Sequence, residues 1–159
     1  MDYPVTPAIR FLRDRHIDFV PHLYDYVEKG GTGESARQLG VDEHAVVKTL
    51  IFETNEKKSL IVLMHGDRQV SAKNLARHIG VKSAEPATPD RVSKWTGYLA
   101  GGTSPFGTRT AMPVYAEKTI FDLDAIYING GKRGFLVEIE PGVLKETLKV
   151  EEVDVGITN

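Results

Sequence analysis

VVKTLIFETNEKKSLIVLMH, residues 46–65, is the stretch of sequence that decides the fold. Residues 46–53 have the β-branched and aromatic content of a buried strand, and residues 59–65 are almost entirely apolar. The polar segment TNEKK between them, residues 54–58, is typical of a turn. The sequence therefore predicts that the two segments pair as an antiparallel hairpin.

Helix-capping residues stand on both sides of this hairpin. Serine, threonine and proline favour the first turn of a helix, and a glycine directly after the apolar repeat favours its end. On these signals we expect helices over residues 6–15, 34–39, 72–79, from 88 onward and over 141–148, with a helical turn at 42–45. The glycine-rich residues 28–33 are expected to form a loop.

Shorter apolar segments add further strands. They lie over residues 17–24, where Pro21 indicates an edge position, over 81–85, around Tyr98, and over 112–115, 125–128 and 135–139. Strands and helices alternate irregularly, and several strands follow one another like hairpins. This order favours an α/β fold of the α+β type, with a mixed, largely antiparallel central sheet and helices packed around it.

Composition limits both the size and the partners of the protein. A chain of 159 residues with 41% apolar residues fits a single domain, which we place over residues 1–159. The formal net charge of −2 argues against a protein that coats nucleic acid but permits recognition of one nucleic-acid end. No signal-type or membrane-spanning stretch is visible, so we expect a soluble cytoplasmic protein. The absence of cysteine excludes disulfides, thiolate metal sites and a cysteine nucleophile.

Two glycine-rich segments and one lysine are the candidate functional features. GGTSPFG (101–107), predicted to follow a strand, can turn backbone N–H groups toward a ligand and stabilise an oxyanion; the alternative is a tight turn. GGKRG (130–134) combines flexible backbone with two cations that can hold a phosphate, or is a basic hairpin turn. Lys48 lies in an apolar strand, where its ammonium needs a partner such as a ligand phosphate, unless the strand is an edge and the charge is solvated.

Conventional catalytic groups are not recognisable in the sequence. The five histidines lack the paired spacing of a metal site, and Ser104 lacks the G-x-S-x-G pattern of a nucleophile elbow. We therefore expect no metal and no cofactor. A hydrolase with this sequence would have to work by positioning its substrate and by backbone amides.

The order of several motifs gives the chain a specific resemblance. TPAIRFL (6–12), HLY (22–24), LGVDEHAVVKTL (39–50), GYLAGGTSPFG (97–107) and IYINGGKRG (126–134) follow one another over nearly the whole chain. In this order they resemble the bacterial Cys-tRNA(Pro) deacylases of the YbaK type, within the superfamily of the prolyl-tRNA synthetase editing domain. The resemblance implies a curved mixed sheet and a cleft for the aminoacylated 3′-terminal adenosine of tRNA.

The resemblance also implies roles for residues of this chain. Lys48 would meet the terminal phosphate and the backbone of Gly101, with Gly102, would act on the aminoacyl ester; these three residues are the predicted catalytic set. The predicted substrate-binding residues are Tyr24, Thr49, Thr103, Ser104, Asn129, Gly130, Gly131, Lys132 and Arg133. The predicted partners are the 3′ end of aminoacyl-tRNA and prolyl-tRNA synthetase, with no role for DNA or a membrane.

Some positions depart from the family pattern. Asn129 stands where the deacylases often have serine, Leu136 stands where they can have aspartate, and the pocket phenylalanine expected before Ser35 has no counterpart. These differences leave the reaction class intact and the amino-acid preference open. The alternatives are a catalytically silent module that binds tRNA or a synthetase, and a hydrolase of smaller aminoacyl or nucleotide esters.

Overall fold

A mixed β-sheet with helices packed against it runs through the computed structural model, which describes residues 2–158. The strands are β1 (Val20–Leu23), β2 (Val46–Thr54), β3 (Ser59–His65), β4 (Arg68–Val70), β5 (Ala84–Pro86), β6 (Val114–Glu117), β7 (Ile126–Lys132), β8 (Phe135–Ile139), β9 (Val150–Val153) and β10 (Gly156–Thr158). The helices are α1 (Pro7–Asp14), α2 (Gly31–Leu39), α3 (Ala72–Ile79), α4 (Pro89–Thr96) and α5 (Gly142–Thr147), with 3-10 turns at Glu43–Ala45 and Lys118–Asp122.

Eight strands form the main sheet in the order β1-β8-β7-β2-β3-β6-β9, with β5 also paired to β2. The pairs β1–β8, β7–β8, β2–β3 and β2–β5 are antiparallel. The pairs β2–β7, β3–β6 and β6–β9 are parallel. A separate antiparallel pair is made by β4 and β10. The predicted fold class, a mixed α/β arrangement with surrounding helices, is therefore confirmed.

The predicted hairpin of β2 and β3 is also confirmed and lies at the centre of the sheet. Alternate residues of a strand point to opposite faces, so this hairpin contributes to two apolar clusters. One cluster joins α1 and α5 to the side chains of Val47, Ile51, Ile61 and Leu63. The other joins α3 to the side chains of Phe52, Leu60, Val62 and Met64.

The edge of β2 that faces away from β3 is only partly paired. At one end β7 pairs with Val46 and Val47, and at the other end β5 pairs with residues 52–54. Residues 48–51 lie between these two partners, and the register of the described strands leaves them without a strand neighbour on that side. The candidate site lies at this interruption of the sheet.

The predicted caps are found where the sequence places them. Thr6 Oγ1 accepts a hydrogen bond from Ile9 N at 3.1 Å, and Ser71 Oγ accepts from Asn74 N at 3.2 Å. Gly40 and Gly80 close α2 and α3 in the left-handed conformation. All the helices are short, and none in residues 2–158 is long and apolar enough to span a membrane.

Several local predictions were wrong. Tyr98 is not in a strand: it follows α4 with its ring buried, and its hydroxyl donates to Phe106 O at 2.6 Å. GGTSPFG therefore follows a helix rather than a strand. Helix α2 already begins at Gly31, so the predicted loop over residues 28–33 is shorter than expected. Gly130 and Gly131 lie within β7 at a β-bulge, and only residues 133 and 134 form the turn before β8.

Candidate functional site

A cleft opens where β2 is unpaired between β7 and β5. It encloses about 340 Å³, which is within the range of small-molecule sites. Lys48, Thr49 and Leu50 border it from β2, and Gly101 and Thr103 border it from the loop after α4. The remaining lining residues are Tyr24, Tyr26, Val27, Lys29, Gly31, Thr32, Glu34, Ser35, Val46, Val47, Asn129 and Leu136.

A second hollow of about 390 Å³ adjoins the cleft. The two spaces share Lys48, Thr49, Leu50, Gly101 and Thr103. The other walls of the second hollow are largely apolar and come from Ile51, Phe52, Gln69, Val70, Pro86, Ala87, Val92 and Ala100. The shared residues thus border both spaces.

Lys48 is half-buried, and its ammonium is held in place by the backbone. Its Nζ donates a hydrogen bond to Arg68 O on β4. Burial lowers the pKa of Lys48 below the usual lysine value, while the carboxylates of Glu43 and Asp67 act in the opposite direction. One backbone acceptor satisfies only one of the three ammonium protons, so Lys48 can still bind an anionic ligand group.

The two carboxylates near Lys48 belong to a network of hydrogen bonds. Glu43 accepts from Thr32 Oγ1 at 2.8 Å, and Asp67 Oδ1 is 2.8 Å from His44 Nδ1. The His44 ring stacks on His65 with 3.7 Å between ring centres. Among the described residues no group of three or more histidine or acidic side chains could hold a metal ion. Glu43 and Asp67 act on Lys48 through their charges.

Thr49 presents unused hydrogen-bonding groups at the same place. Its Oγ1 is buried and makes no hydrogen bond within residues 2–158. Because Ile51 O accepts from Ala87 N, the alternation of β2 turns the backbone N–H and C=O of Thr49 toward the same unpaired edge. Buried polar groups in proteins are nearly always hydrogen-bonded, so the Oγ1, unpaired within the described chain, is an exception, and the backbone groups of Thr49 are the ones that this edge can offer a bound ligand.

The loop after α4 brings a glycine backbone to the cleft. Gly101 has φ +84, in the left-handed region, and a Cβ atom there would lie 2.8 Å from the hydroxyl of Tyr26. The carbonyl oxygen of Gly101 accepts from Asn129 Nδ2 at 3.2 Å, and that of Ala100 accepts from Arg133 Nε at 2.8 Å. Side chains of the β7–β8 hairpin thus hold this loop from one side.

The structure brings half of the predicted site residues together. Those that line the cleft are Tyr24, Lys48, Thr49, Gly101, Thr103 and Asn129. Burial raises the pKa of the Tyr24 hydroxyl, so Tyr24 enters the cleft as a neutral hydrogen-bonding group. The roles assigned to these residues in catalysis or binding remain predictions.

The other half of the predicted set lies outside the lining of the cleft. Gly102 N donates to Leu99 O at 2.9 Å, and Ser104 Oγ accepts from Phe106 N at 3.1 Å, so both act within the loop itself. A Cβ atom on Gly130 would collide with the Phe135 ring, and one on Gly131 with Tyr98 and Thr6. Lys132 and Arg133 are exposed beside the bulge.

Sequence reasoning missed several lining residues. Tyr26 and Thr32 carried no motif signal, because Tyr26 follows a short strand and Thr32 lay in a segment predicted to be a loop. Leu136 lies on β8 next to the bulge, and it makes the cleft apolar where the deacylases can carry an aspartate. Only its spacing from GGKRG in the sequence indicated this position.

The mixed sheet and the cleft bordered by Lys48 and Gly101 define an α/β domain with a candidate ligand site. The chain belongs to the aminoacyl-tRNA editing domain family, whose model matches residues 29–147.

Individual relatives agree with this assignment. The chain is 28% identical over 137 residues to the Enterococcus faecalis protein named "Putative Cys-tRNA(Pro)/Cys-tRNA(Cys) deacylase EbsC", covering 86% of this chain and 84% of that one. It is 35% identical over 95 residues to a proline–tRNA ligase of Nitratidesulfovibrio vulgaris, covering 60% of this chain but only 16% of the ligase. A solved structure described as "a putative trans-editing enzyme for prolyl tRNA synthetase" superimposes with a TM-score of 0.82 at 23% identity, covering 97% of this chain and 99% of that one.

Proposed function

We propose that this protein hydrolyses the ester bond between a mischarged amino acid and the 3′-terminal ribose of tRNA. One observation carries the proposal: Lys48 and Gly101 line both the cleft and the hollow that adjoins it. The aminoacylated end of tRNA needs a cation for the phosphate of its terminal nucleotide, a donor for the ester carbonyl oxygen, and space for both the amino acid and the nucleotide. Membership of the aminoacyl-tRNA editing domain family supports the same reaction class.

Two groups of the chain would act on the reacting ester. Lys48 binds the phosphate of the terminal nucleotide and orients the ribose, and the Gly101 N–H donates to the carbonyl oxygen as it becomes an oxyanion. The Gly102 N–H is already bonded to Leu99 O, so the proposal assigns the oxyanion contact to Gly101 alone. Water adds to the acyl carbon and gives up a proton, the bond from that carbon to the ribose oxygen breaks, and the ribose oxygen takes up a proton to become the free hydroxyl.

The chain's own residues need not supply a strong base for this step. Glu34 is a carboxylate that lines the cleft, and it is bonded to Arg37 and Gln38. Aminoacyl esters are already activated, and the substrate's own groups can assist the water. Positioning and oxyanion stabilisation then provide the acceleration.

The proposed substrate is a small amino acid on tRNA(Pro), with cysteine as the first candidate. Pockets separate side chains that differ by one methylene by only about 1–3 kcal/mol, so a synthetase that loads small amino acids needs a second check. The name of the Enterococcus faecalis relative supports cysteine. Leu136, which lines the cleft and departs from the deacylase pattern, is the residue expected to shift this preference.

Deacylation assays test the proposal directly. We expect tRNA(Pro) charged with cysteine, alanine or proline to lose label from one mischarged form. Lys48→Met, which keeps the aliphatic stem but removes the charge, is expected to slow this by about 10- to 100-fold, as for loss of a charged hydrogen bond. Lys73→Met, at an exposed lysine of α3, is the matched control and is expected to keep full activity.

A silent binding module is the second candidate. It is favoured by the absence of a titratable catalytic pair among the residues that line the cleft in the described chain. If the wild type binds tRNA(Pro) but releases none of the three amino acids, the editing proposal fails for these substrates. Binding that weakens in Lys48→Met and not in Lys73→Met would then establish the cleft as a recognition site.

A further inference from the structure

We infer that Asn129 and Arg133 form a latch that aims the Gly101 N–H into the cleft, an inference that rests on the proposed function. The two side chains hold successive carbonyl oxygens of the loop after α4: Arg133 Nε donates to Ala100 O at 2.8 Å, and Asn129 Nδ2 donates to Gly101 O at 3.2 Å. They are therefore positioning residues for catalysis and not phosphate ligands.

The peptide geometry explains how such a latch works. In a trans peptide unit the C=O and N–H groups point in opposite directions, so the direction of one fixes the other. Arg133 lies outside the lining of the cleft, and its bond to Ala100 O turns the Gly101 N–H, which belongs to the same peptide unit, away from the guanidinium. Asn129 bonds Gly101 O and so fixes the next peptide unit, and the two bonds together hold the peptide planes on both sides of Gly101. The Gly101 N–H makes none of the hydrogen bonds found within residues 2–158, which leaves it free for a substrate oxygen.

The latch itself is held by the β-bulge of β7. Asn129 Oδ1 accepts from Gly131 N at 2.7 Å and from Lys132 N at 3.1 Å. With its oxygen fixed by two backbone donors, the Asn129 amide nitrogen must point toward Gly101 O. The register shift between Asn129 and Lys132 is therefore what supplies these donors.

A second contact fixes the guanidinium of Arg133. The Arg133 guanidinium stacks over the Tyr26 ring, 5.1 Å from its centre. The Tyr26 hydroxyl in turn occupies the space where a Gly101 side chain would lie. Tyr26, Arg133 and Asn129 thus pack around the backbone of residues 100 and 101.

Isosteric variants separate this latch from direct substrate contact. Asn129→Asp keeps the oxygen that caps the bulge but replaces the donor with a second acceptor facing Gly101 O. We expect kcat for the mischarged tRNA to fall about 10- to 100-fold, as for a misplaced oxyanion donor, with KM within about twofold of wild type. Arg133→Lys removes the planar guanidinium that stacks on Tyr26 and donates to Ala100 O, and it is also expected to lower kcat.

Asn55→Asp is the matched control. Asn55 Oδ1 also caps a backbone amide, that of Ser83 at 3.1 Å, but it lies outside the cleft. It is expected to keep kcat, and all variants are expected to keep the circular dichroism of the wild type. A raised KM with unchanged kcat in Asn129→Asp would mean direct substrate binding and would overturn the latch.

A measurement without substrate keeps the inference separate from the proposed function. ¹⁵N relaxation of the backbone amides of residues 100–102 is expected to report faster motion in Asn129→Asp than in wild type, and no change in Asn55→Asp. Unchanged order at these amides overturns the latch even if the wild type is an active deacylase. Loosened amides in a protein without deacylase activity would support the latch and reject the proposed function.

Discussion

At the scale of single residues, Gly101 decides whether the loop after α4 can serve the cleft. Its φ of +84 belongs to the left-handed region, where any side chain meets a penalty of roughly 1–2 kcal/mol. The space a side chain would need is occupied by the Tyr26 hydroxyl. Backbone conformation and packing therefore both demand glycine at a position where the amide is proposed to meet the substrate.

Gly101→Ala separates these effects when it is compared with Gly40→Ala. Gly40 has φ +68 with no atom near its missing Cβ, so alanine there meets only the backbone penalty. We expect Gly40→Ala to lose roughly 1–2 kcal/mol of unfolding free energy in urea from the left-handed strain, and Gly101→Ala to lose more because the Tyr26 hydroxyl must also move. Only Gly101→Ala is expected to lose deacylation, by more than about tenfold. Equal activity in the two variants would argue against a role for the Gly101 backbone.

Single residues also show which parts of the candidate site could be predicted from the spacing of residues in the sequence and which could not. Lys48 was recognisable because a charge within VVKTLIF has to be satisfied, and the structure satisfies it with Arg68 O. Phosphate binding by the GGKRG cations stays a prediction, and the structure adds a bond from Arg133 to the loop carbonyl of Ala100 that the sequence did not indicate. A charge pattern identifies a cation without identifying its partner, because the partner lies elsewhere in the chain.

At the scale of elements, the sequence predicted the helix starts, because capping contacts within the first turn determine them. Helices α1, α3 and α4 begin at capping side chains that bond the backbone within the first turn. The short strands β4, β9 and β10 went unpredicted, since three- and four-residue segments carry little periodicity. They exist because they pair with distant partners: β10 with β4, and β9 with β6.

The unpredicted pair of β10 and β4 supports the cleft. β4 carries the Arg68 carbonyl that receives the Lys48 ammonium, and β10 pairs with β4 from Gly156 to Thr158. The buried carboxylate of Glu117 anchors the approach to β10, accepting from Val155 N and Gly156 N at 2.8 Å each. A contact far from the cleft in sequence thus helps to fix the acceptor of Lys48.

Glu117→Gln tests this element. One carboxylate oxygen becomes an NH₂ group facing a backbone N–H, so a buried donor loses its acceptor. We expect a loss of about 1–3 kcal/mol of unfolding free energy. Hydrogen exchange at Ser71 N, which donates to Val155 O, is expected to accelerate more than exchange in β3. Glu56→Gln, at an exposed turn residue, is the control, and equal protection of Ser71 in both variants would contradict the anchoring role.

At the scale of the whole molecule, the cleft depends on the sheet topology. It forms because β7 and β5 each pair with only one end of β2. The sequence predicted the hairpin of β2 and β3 and the mixed sheet, but not this interruption. Which strands share an edge is decided by long-range packing, so the resemblance to a family, rather than periodicity, located the cleft at Lys48 and Gly101.

The same long-range packing buries a histidine between the sheet and its connections. His65, at the end of β3, is 1% exposed; its Nδ1 donates to His44 O at 2.8 Å, and its Nε2 accepts from Thr119 Oγ1 at 2.7 Å. Burial is the largest influence and lowers the pKa of His65 below its usual value. The bond to His44 O and the charges of Asp67 and Glu117 oppose this shift without reversing it.

The lowered pKa makes the stability of the whole fold depend on pH. Between the folded pKa of His65 and the unfolded value of about 6.5, the unfolded chain binds more protons than the folded one, so unfolding becomes easier as pH falls. We expect the unfolding free energy in urea to decrease from pH 7.5 to pH 5, by at most about 1.4 kcal/mol per pH unit for this one group.

His65→Asn identifies the group responsible. Its amide keeps a donor for His44 O but cannot take up a proton, so the variant is expected to be less stable at pH 7.5 and to lose less stability toward pH 5. If His65→Asn and the wild type lose equal stability on acidification, the dependence arises from another group. A shallower slope in His65→Asn would show that protonation of the buried His65 ring contributes to the loss of stability in acid.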